Sequence, residues 1–137
     1  MVSIKSVLVS AFAALPLSSA YLTSLSAPAT AKAGTTITAT MVASIYIQNW
    51  DDFGIVWGLA PDYYDCGDVI CVGRRIAYTP LFPDNVPKPG NFTVDLDIPA
   101  SFEAGRYNLV AAIPFLVGAS GETQIQNHTV GIEITAA

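Results

Sequence analysis

Three observations predict the fold class of this chain. Seven runs of residues alternate in polarity or are rich in β-branched side chains, with turn signals between them. Trp57 falls in the third run. Tyr107 opens the sixth, just after Glu103-Ala104-Gly105. Together they predict an all-β fold, an immunoglobulin-like β-sandwich of about seven strands. Such domains often bury a tryptophan in the third strand, and a tyrosine at the start of the sixth forms a corner whose hydroxyl bonds back to backbone. The inter-sheet disulfide of antibody domains has no counterpart, so apolar packing around Met41, Trp57 and Leu109 has to substitute for it. The same alternation also fits another seven- or eight-stranded barrel or a jelly roll.

The elements follow in order. Leu22 to Pro28 reads as an edge strand ended by proline, and Lys32-Ala33-Gly34 as a turn. Thr35 to Ser44 alternates, with Ile37, Ala39, Met41 and Ala43 on one face, the period of a half-buried strand. Residues 45–52 are a connection. Phe53 to Ala60 is a continuous apolar run, which fits a central strand. Pro61 to Asp68 is an acidic loop, and Val69 to Thr79 the returning strand. Pro80 to Gly90 holds four prolines and reads as a crossing connection, since proline cannot donate to a ladder. Asn91 to Ile98 alternates, with Phe92, Val94, Leu96 and Ile98 on one side. Arg106 to Phe115 is a strand broken by Pro114, Leu116 to Glu122 a glycine-containing loop, and Ile125 to Thr135 the last strand, in which Val130, Ile132 and Ile134 share a face. Strand direction then puts 45–52, 80–90 and 114–124 at one end, and 61–68 and 99–105 at the other.

Residues 1–20 read as a signal peptide: Lys5, an apolar stretch from Val7 to Leu15, and small residues at Leu17-Ser18-Ser19-Ala20. Cleavage after Ala20 makes Tyr21 the first mature residue. The apolar stretch is shorter than the roughly 20 residues that span a bilayer, so membrane insertion is not expected. The remaining 21–137 suits one β-sandwich domain. Without Lys5 it carries five basic and eleven acidic residues, a net charge of −6. Nucleic acid and anionic membranes need a basic face, so neither is an expected partner.

Chemistry concentrates between Ile45 and Gly73, which hold both tryptophans, both cysteines and five of the eleven acidic residues. In a secreted chain Cys66 and Cys71 are expected to form a disulfide. The C-x4-C spacing departs from the C-x-x-C of redox motifs. Catalysis finds little support. His128 is the single histidine, too few to build a zinc or copper site, and no G-x-S-x-G elbow occurs. Asp51 and Asp52, Asp62, Asp65 and Asp68, and Asp95 and Asp97 are carboxylate groupings. A glycosidase needs two carboxyls across a cleft, and calcium would use the loop aspartates at a spacing unlike an EF-hand. Solvation of loops and edges is the simpler role. No enzyme activity, metal or cofactor is expected.

Two sequons, Asn91-Phe92-Thr93 and Asn127-His128-Thr129, offer Asn91 and Asn127 for glycosylation. Phe115, Leu116 and Val117, beside Tyr46 and Trp50, either form a sticky patch or turn inward and plug the end of the sandwich.

Several blocks carry a family likeness. Gln48-Asn49-Trp50-Asp51-Asp52, Trp57-Gly58, Cys66-Gly67-Asp68 through Cys71-Val72-Gly73, Gly105 to Pro114 and Leu116 to Glu122 resemble, in order, the necrosis-inducing secreted proteins of fungi. The resemblance covers most of the mature chain. It implies a small secreted virulence effector that works by binding, associated with plant cell death and suppression of pattern-triggered immunity. It further implies that the partners are receptor-associated immune kinases of the host and that the protein, once secreted, can act inside host cells, in the cytoplasm. The C-terminal part is linked to activity in the family; here the sequence stops soon after the last strand, at Ile134-Thr135-Ala136-Ala137, so no tail residue is carried over. The expected partner-binding residues are Tyr46, Asn49, Trp50, Asp51, Phe115, Leu116 and Glu122, where two of the blocks converge. The alternative is a secreted carbohydrate- or cell-wall-binding module using Trp50, Tyr63 and Tyr64 as stacking platforms.

Overall fold

The computed structural model describes residues 19–46 and 49–137. The leader therefore lies outside the described residues except for the backbone of Ser19 and Ala20, as do Ile47 and Gln48. Nine strands form among the described residues: β1 (Ser19–Ser26), β2 (Thr30–Lys32), β3 (Thr36–Tyr46), β4 (Trp50–Asp52), β5 (Gly54–Pro61), β6 (Arg74–Pro80), β7 (Gly90–Asp97), β8 (Gly105–Val117) and β9 (Glu122–Thr135). They make two sheets. One has the order β1-β3-β7; the other has β2-β9-β8-β5-β6, with β4 also on β8. The expected all-β sandwich is met in these two layers, whose inner faces supply a common core. Among the described residues no helix is long and apolar enough to cross a membrane.

The core follows the sequence period. Ile37, Ala39, Met41 and Ala43 of β3 and Leu96 of β7 face Ile55, Trp57 and Leu59 of β5 and Leu109, Ala111 and Ile113 of β8, all buried. On the outer face of β7, Asp97 accepts from Thr36 Oγ1 at 2.6 Å and Asp95 from Thr38 Oγ1 at 2.8 Å. These two carboxylates brace a cross-strand ladder. β5 reads as continuously apolar because it is covered on both sides. Its outer residues Gly54, Gly58 and Ala60 are buried like its inner ones.

Both diagnostic residues sit as expected. Trp57 is fully buried, and its Nε1 donates to Thr79 Oγ1 at 2.9 Å. The Tyr107 hydroxyl donates to the Glu103 carbonyl at 2.9 Å, and its ring meets Phe102 edge to face at 5.5 Å. Tyr107→Phe deletes that one hydrogen bond and leaves the ring in place. It should cost about 1 kcal/mol in urea unfolding, with an unchanged m-value.

Several element boundaries differ from the sequence reading; the last strand, for one, starts at Glu122 and not at Ile125. Pro28 does not simply end an edge strand. The chain leaves the first sheet there and joins the second as β2, parallel to β9. The 45–52 connection contains β4, which pairs with the end of β8. The returning strand starts at Arg74, not Val69, because Gly73 turns the chain at φ +71°. Pro114 does not break β8, which runs on to Val117. The Pro114 carbonyl accepts from Phe53 N–H at 2.9 Å. Its nitrogen faces the same way, toward the junction of β4 and β5 where Phe53 lies outside both strands, so no ladder bond is lost.

Candidate functional site

The end of the sandwich where β4 meets β8 gathers most of the expected binding residues. The register sets Trp50 opposite Val117, Asp51 opposite Leu116 and Asp52 opposite Phe115. Across β8, Val117 is also opposite Glu122 of β9. The Asn49 carbonyl accepts from Gly118 N–H at 2.9 Å, which ties the start of β4 to the β8–β9 turn. Tyr46 arrives at the end of β3. All seven expected residues, Tyr46, Asn49, Trp50, Asp51, Phe115, Leu116 and Glu122, therefore lie at or next to one end.

Their side chains do not play one role. Trp50 stacks on Phe115 at 4.2 Å with ring planes 4° apart. Tyr46 meets Trp50 at 4.9 Å, and Tyr21 meets Tyr46 and Trp50 at 5.3 and 5.4 Å. Phe115 is buried, so it plugs the sandwich, while Trp50, Tyr46, Tyr21 and Leu116 are half-buried and Asn49 and Glu122 exposed. The loop tip thus divides: one ring turns inward and supports an aromatic rim that solvent reaches. Stacked and edge-on rings fix one another's orientation, each pair adding about 0.5–1.5 kcal/mol beyond area burial. The rim is consequently a rigid surface.

Beneath it lies a polar cluster that sequence reasoning missed. Asp52 is the buried acid of the described core, 5% exposed. Its Oδ2 accepts from Leu22 N–H at 3.0 Å. Its Oδ1 accepts from Trp50 Nε1 at 2.8 Å and, more loosely, from Gln126 Nε2 at 3.5 Å. His128 Nε2 donates to the Leu22 carbonyl at 3.2 Å. Both backbone groups of Leu22 are therefore held by side chains of the other sheet, next to the β1 irregularity between Leu22 and Ser24. Burial pushes the Asp52 carboxyl above its ordinary range, against the opposing pull of Trp50, Leu22 and His128. The signal was available: continuing the β9 alternation of Val130, Ile132 and Ile134 by two steps turns His128 and Gln126 inward.

The disulfide segment sits elsewhere. Cys66 and Cys71 are bonded. The loop begins at the opposite end, with Asp62 N–H donating to the Arg106 carbonyl at 3.2 Å. It does not stay there, as the strand directions alone suggested. Residues 66–73 fold back over the outer face of the second sheet, where Cys66, Ile70 and Cys71 wall a shallow hollow of about 330 Å³ with Asn108, Val110, Asn127 and Thr129. Two glycines permit this approach: a Cβ on Gly58 would lie 2.2 Å from the Val72 carbonyl, and one on Gly73 would lie 2.4 Å from that of Leu59. Gly58→Ala has to displace backbone and should cost about 1–3 kcal/mol. Thermal unfolding together with faster exchange at residues 66–72 checks it. Asp68 lines this hollow, whereas Asp62 lines a separate one with Arg106 and Glu133, and Asp65 caps its own turn through Gly67 N–H.

Both sequon asparagines are exposed. Asn91 is the second residue of β7. Asn127 is not at a strand start but well inside β9, opposite Ala112.

Comparison with known proteins places the chain. Residues 18–133 match the family model described as the Nis1 family. The chain is 30% identical over 127 residues to a "Necrosis-inducing secreted protein 1" of Colletotrichum orbiculare, covering 93% of this chain and 77% of that protein. It is 27% identical over 107 residues to the protein of the same name in Colletotrichum higginsianum, covering 78% and 73%. Among solved structures, a superoxide reductase (neelaredoxin) from Ignicoccus hospitalis is a loose likeness, with a TM-score of 0.43 and 10% identity, covering 85% of this chain and 82% of that one. The family match spans every strand from β1 to near the end of β9, and by it this chain belongs to the Nis1 family.

Proposed function

We propose that this protein is a secreted fungal effector that induces plant cell death and acts by binding, not by catalysis. Its partners are receptor-associated immune kinases of the host, and their engagement suppresses pattern-triggered immunity, with the protein acting in the host cytoplasm after secretion. The observation that carries the reading is the family match, together with relatives named as necrosis-inducing secreted proteins along nearly the whole chain. The aromatic rim supports it. Rigid aromatic side chains at the centre of a patch, with polar groups around them, are what binding hot spots are made of.

The test is a pull-down of the mature protein with host receptor-associated kinases, read alongside their kinase activity. Asp51→Arg and Glu122→Arg alter the rim without touching the core and should each weaken capture by about tenfold. No capture and no inhibition by the unaltered protein overturns the kinase partner. Leaf infiltration tests cell death separately. The carbohydrate alternative retains Tyr63 and Tyr64, but the ring face of Trp50 toward Phe115 is already occupied at 4.2 Å.

A further inference from the structure

We infer that Asn127 carries an N-linked glycan whose first N-acetylglucosamine is seated in the hollow beneath the disulfide segment, as a built-in cover for that surface. Two independent features coincide there. Asn127 and Thr129, the two determining residues of the sequon, both line the hollow; two positions apart on β9, they project from the same outer face. Tyr64 at 55%, Val69 at 66% and Ile70 at 39% exposure line the same hollow, alongside Asp68. Three large apolar side chains thus lie open within reach of the sequon, and the occupant attached at the rim is the sugar.

The chemistry of the walls suits that sugar. N-acetylglucosamine has one face of C–H bonds, an acetamido methyl, and several hydroxyl groups. Tyr64 offers a ring for the C–H face, Val69 and Ile70 an apolar seat for the methyl, and Asn108 an amide for the acetamido group. The volume of about 330 Å³ lies in the range of small-ligand pockets. Attachment precedes folding. The Asn127 amide nitrogen attacks C1 of the reducing-end sugar of a polyprenyl-pyrophosphate-linked oligosaccharide. The N–C1 bond forms, the C1–O bond to pyrophosphate breaks, the nitrogen gives up a proton, and polyprenyl pyrophosphate leaves with the electron pair. Asn91, exposed on β7 of the other sheet, is the internal comparison.

The inference rests on the secretion reading, so the experiment supplies secretion independently. The chain from Tyr21 is made behind a foreign leader in a eukaryotic secretory host, and its own leader is assayed in a parallel culture. Peptide mass reads occupancy at Asn127. The protein is then compared as two forms: trimmed by an endoglycosidase to one sugar, or stripped completely by a glycoamidase, which hydrolyses the side-chain amide and leaves a carboxylate at position 127; Asn127→Gln is the sugar-free form without that charge. Backbone hydrogen exchange over residues 66–72 should stay slow with one sugar and rise about tenfold without it. Nuclear Overhauser contacts should join the sugar-ring protons to the Tyr64 ring and the N-acetyl methyl to Val69 and Ile70 in the unaltered protein. Tyr64→Ala should keep the glycan and lose the protection. An unoccupied Asn127 in folded secreted protein overturns the inference. So do equal exchange rates in the two trimmed forms, or an N-acetyl methyl with no contact to Val69 or Ile70. Failure of the native leader alone tells against secretion and leaves the Asn127 result standing.

Discussion

Trp57→Ala should remove about 3–5 kcal/mol of stability, the usual cost of truncating a fully buried tryptophan. A domain of this size has about 5–15 kcal/mol in total, so the variant should be largely unfolded at moderate urea or only slightly raised temperature. The reason is positional. Trp57 lies on the inner face of β5, which is hydrogen-bonded between β6 and β8. It is 0% exposed and packs into a core drawn from both sheets. Collapse into the space is hindered on the far side of the strand, because Gly58 already sits against the Val72 carbonyl. Trp57→Phe separates the two components of the loss. It keeps most of the apolar volume and drops the bond to Thr79, so it should cost clearly less than alanine. Urea unfolding of the three proteins checks this. Loss of less than about 1.5 kcal/mol for alanine would mean that the sheets close over the gap and that Trp57 is not the keystone of the core.

The residues that made the fold legible in sequence are those whose period or position is set by local physics. Ile37 to Ala43 alternate because a half-buried strand has period two, and they face inward as expected. Tyr107 was legible because its bond to Glu103 spans only four residues. The convergence of 45–52 with 114–124 followed from strand direction, and the β4–β8 register realises it. What stayed hidden depends on contacts distant in sequence. β2 is three residues long and is defined by its parallel pairing with Glu133 to Thr135, so it carries no periodic signal of its own. The return of the disulfide segment over the sheet depends on Gly58 meeting Val72, and nothing in either residue alone announces it. Asp52 looked like one of a solvated aspartate pair. Beyond its near neighbour Trp50, its partners come from β1 and β9, 30 and 74 residues away. The same limit applies to the binding rim: the participants could be collected in advance, but which ring plugs and which ring shows is decided by packing.

Asp52 is therefore where a prediction distinguishes the structure from its sequence. Asp52→Ala leaves the Leu22 N–H and the Trp50 Nε1–H, both held by this carboxylate, without their acceptor. A buried donor left unsatisfied, as Leu22 N–H is there, costs about 1–3 kcal/mol, and the half-buried Trp50 Nε1–H costs less. Part of that is offset by removing a buried carboxylate, and the net loss should be about 1–3 kcal/mol. Asp52→Asn keeps the shape and one acceptor oxygen but turns an NH₂ toward one of the two donors, so it should fall between wild type and alanine. The pH dependence carries the sign. Burial raises the native pKa of Asp52 above the ordinary 3.8, so between those two values the folded chain binds a proton that the unfolded chain does not. The charged, buried form is a cost to the fold that is fully present above the native pKa. That cost is progressively relieved as pH falls through the window toward 3.8, the reverse of a salt-bridged aspartate. Wild type should thus gain stability relative to Asp52→Asn on acidification across that window, and the gap should be constant above it. Titrating both proteins by urea unfolding, and repeating the pair in a His128→Gln background, removes the contribution of the imidazole that acts on the carboxylate. A flat gap would show that the hydrogen bonds from Leu22 and Trp50 balance burial, and a gap that moves against wild type as pH falls would show that they outweigh it. The clamp that joins β1 to the aromatic rim would then be a site built to hold a charge.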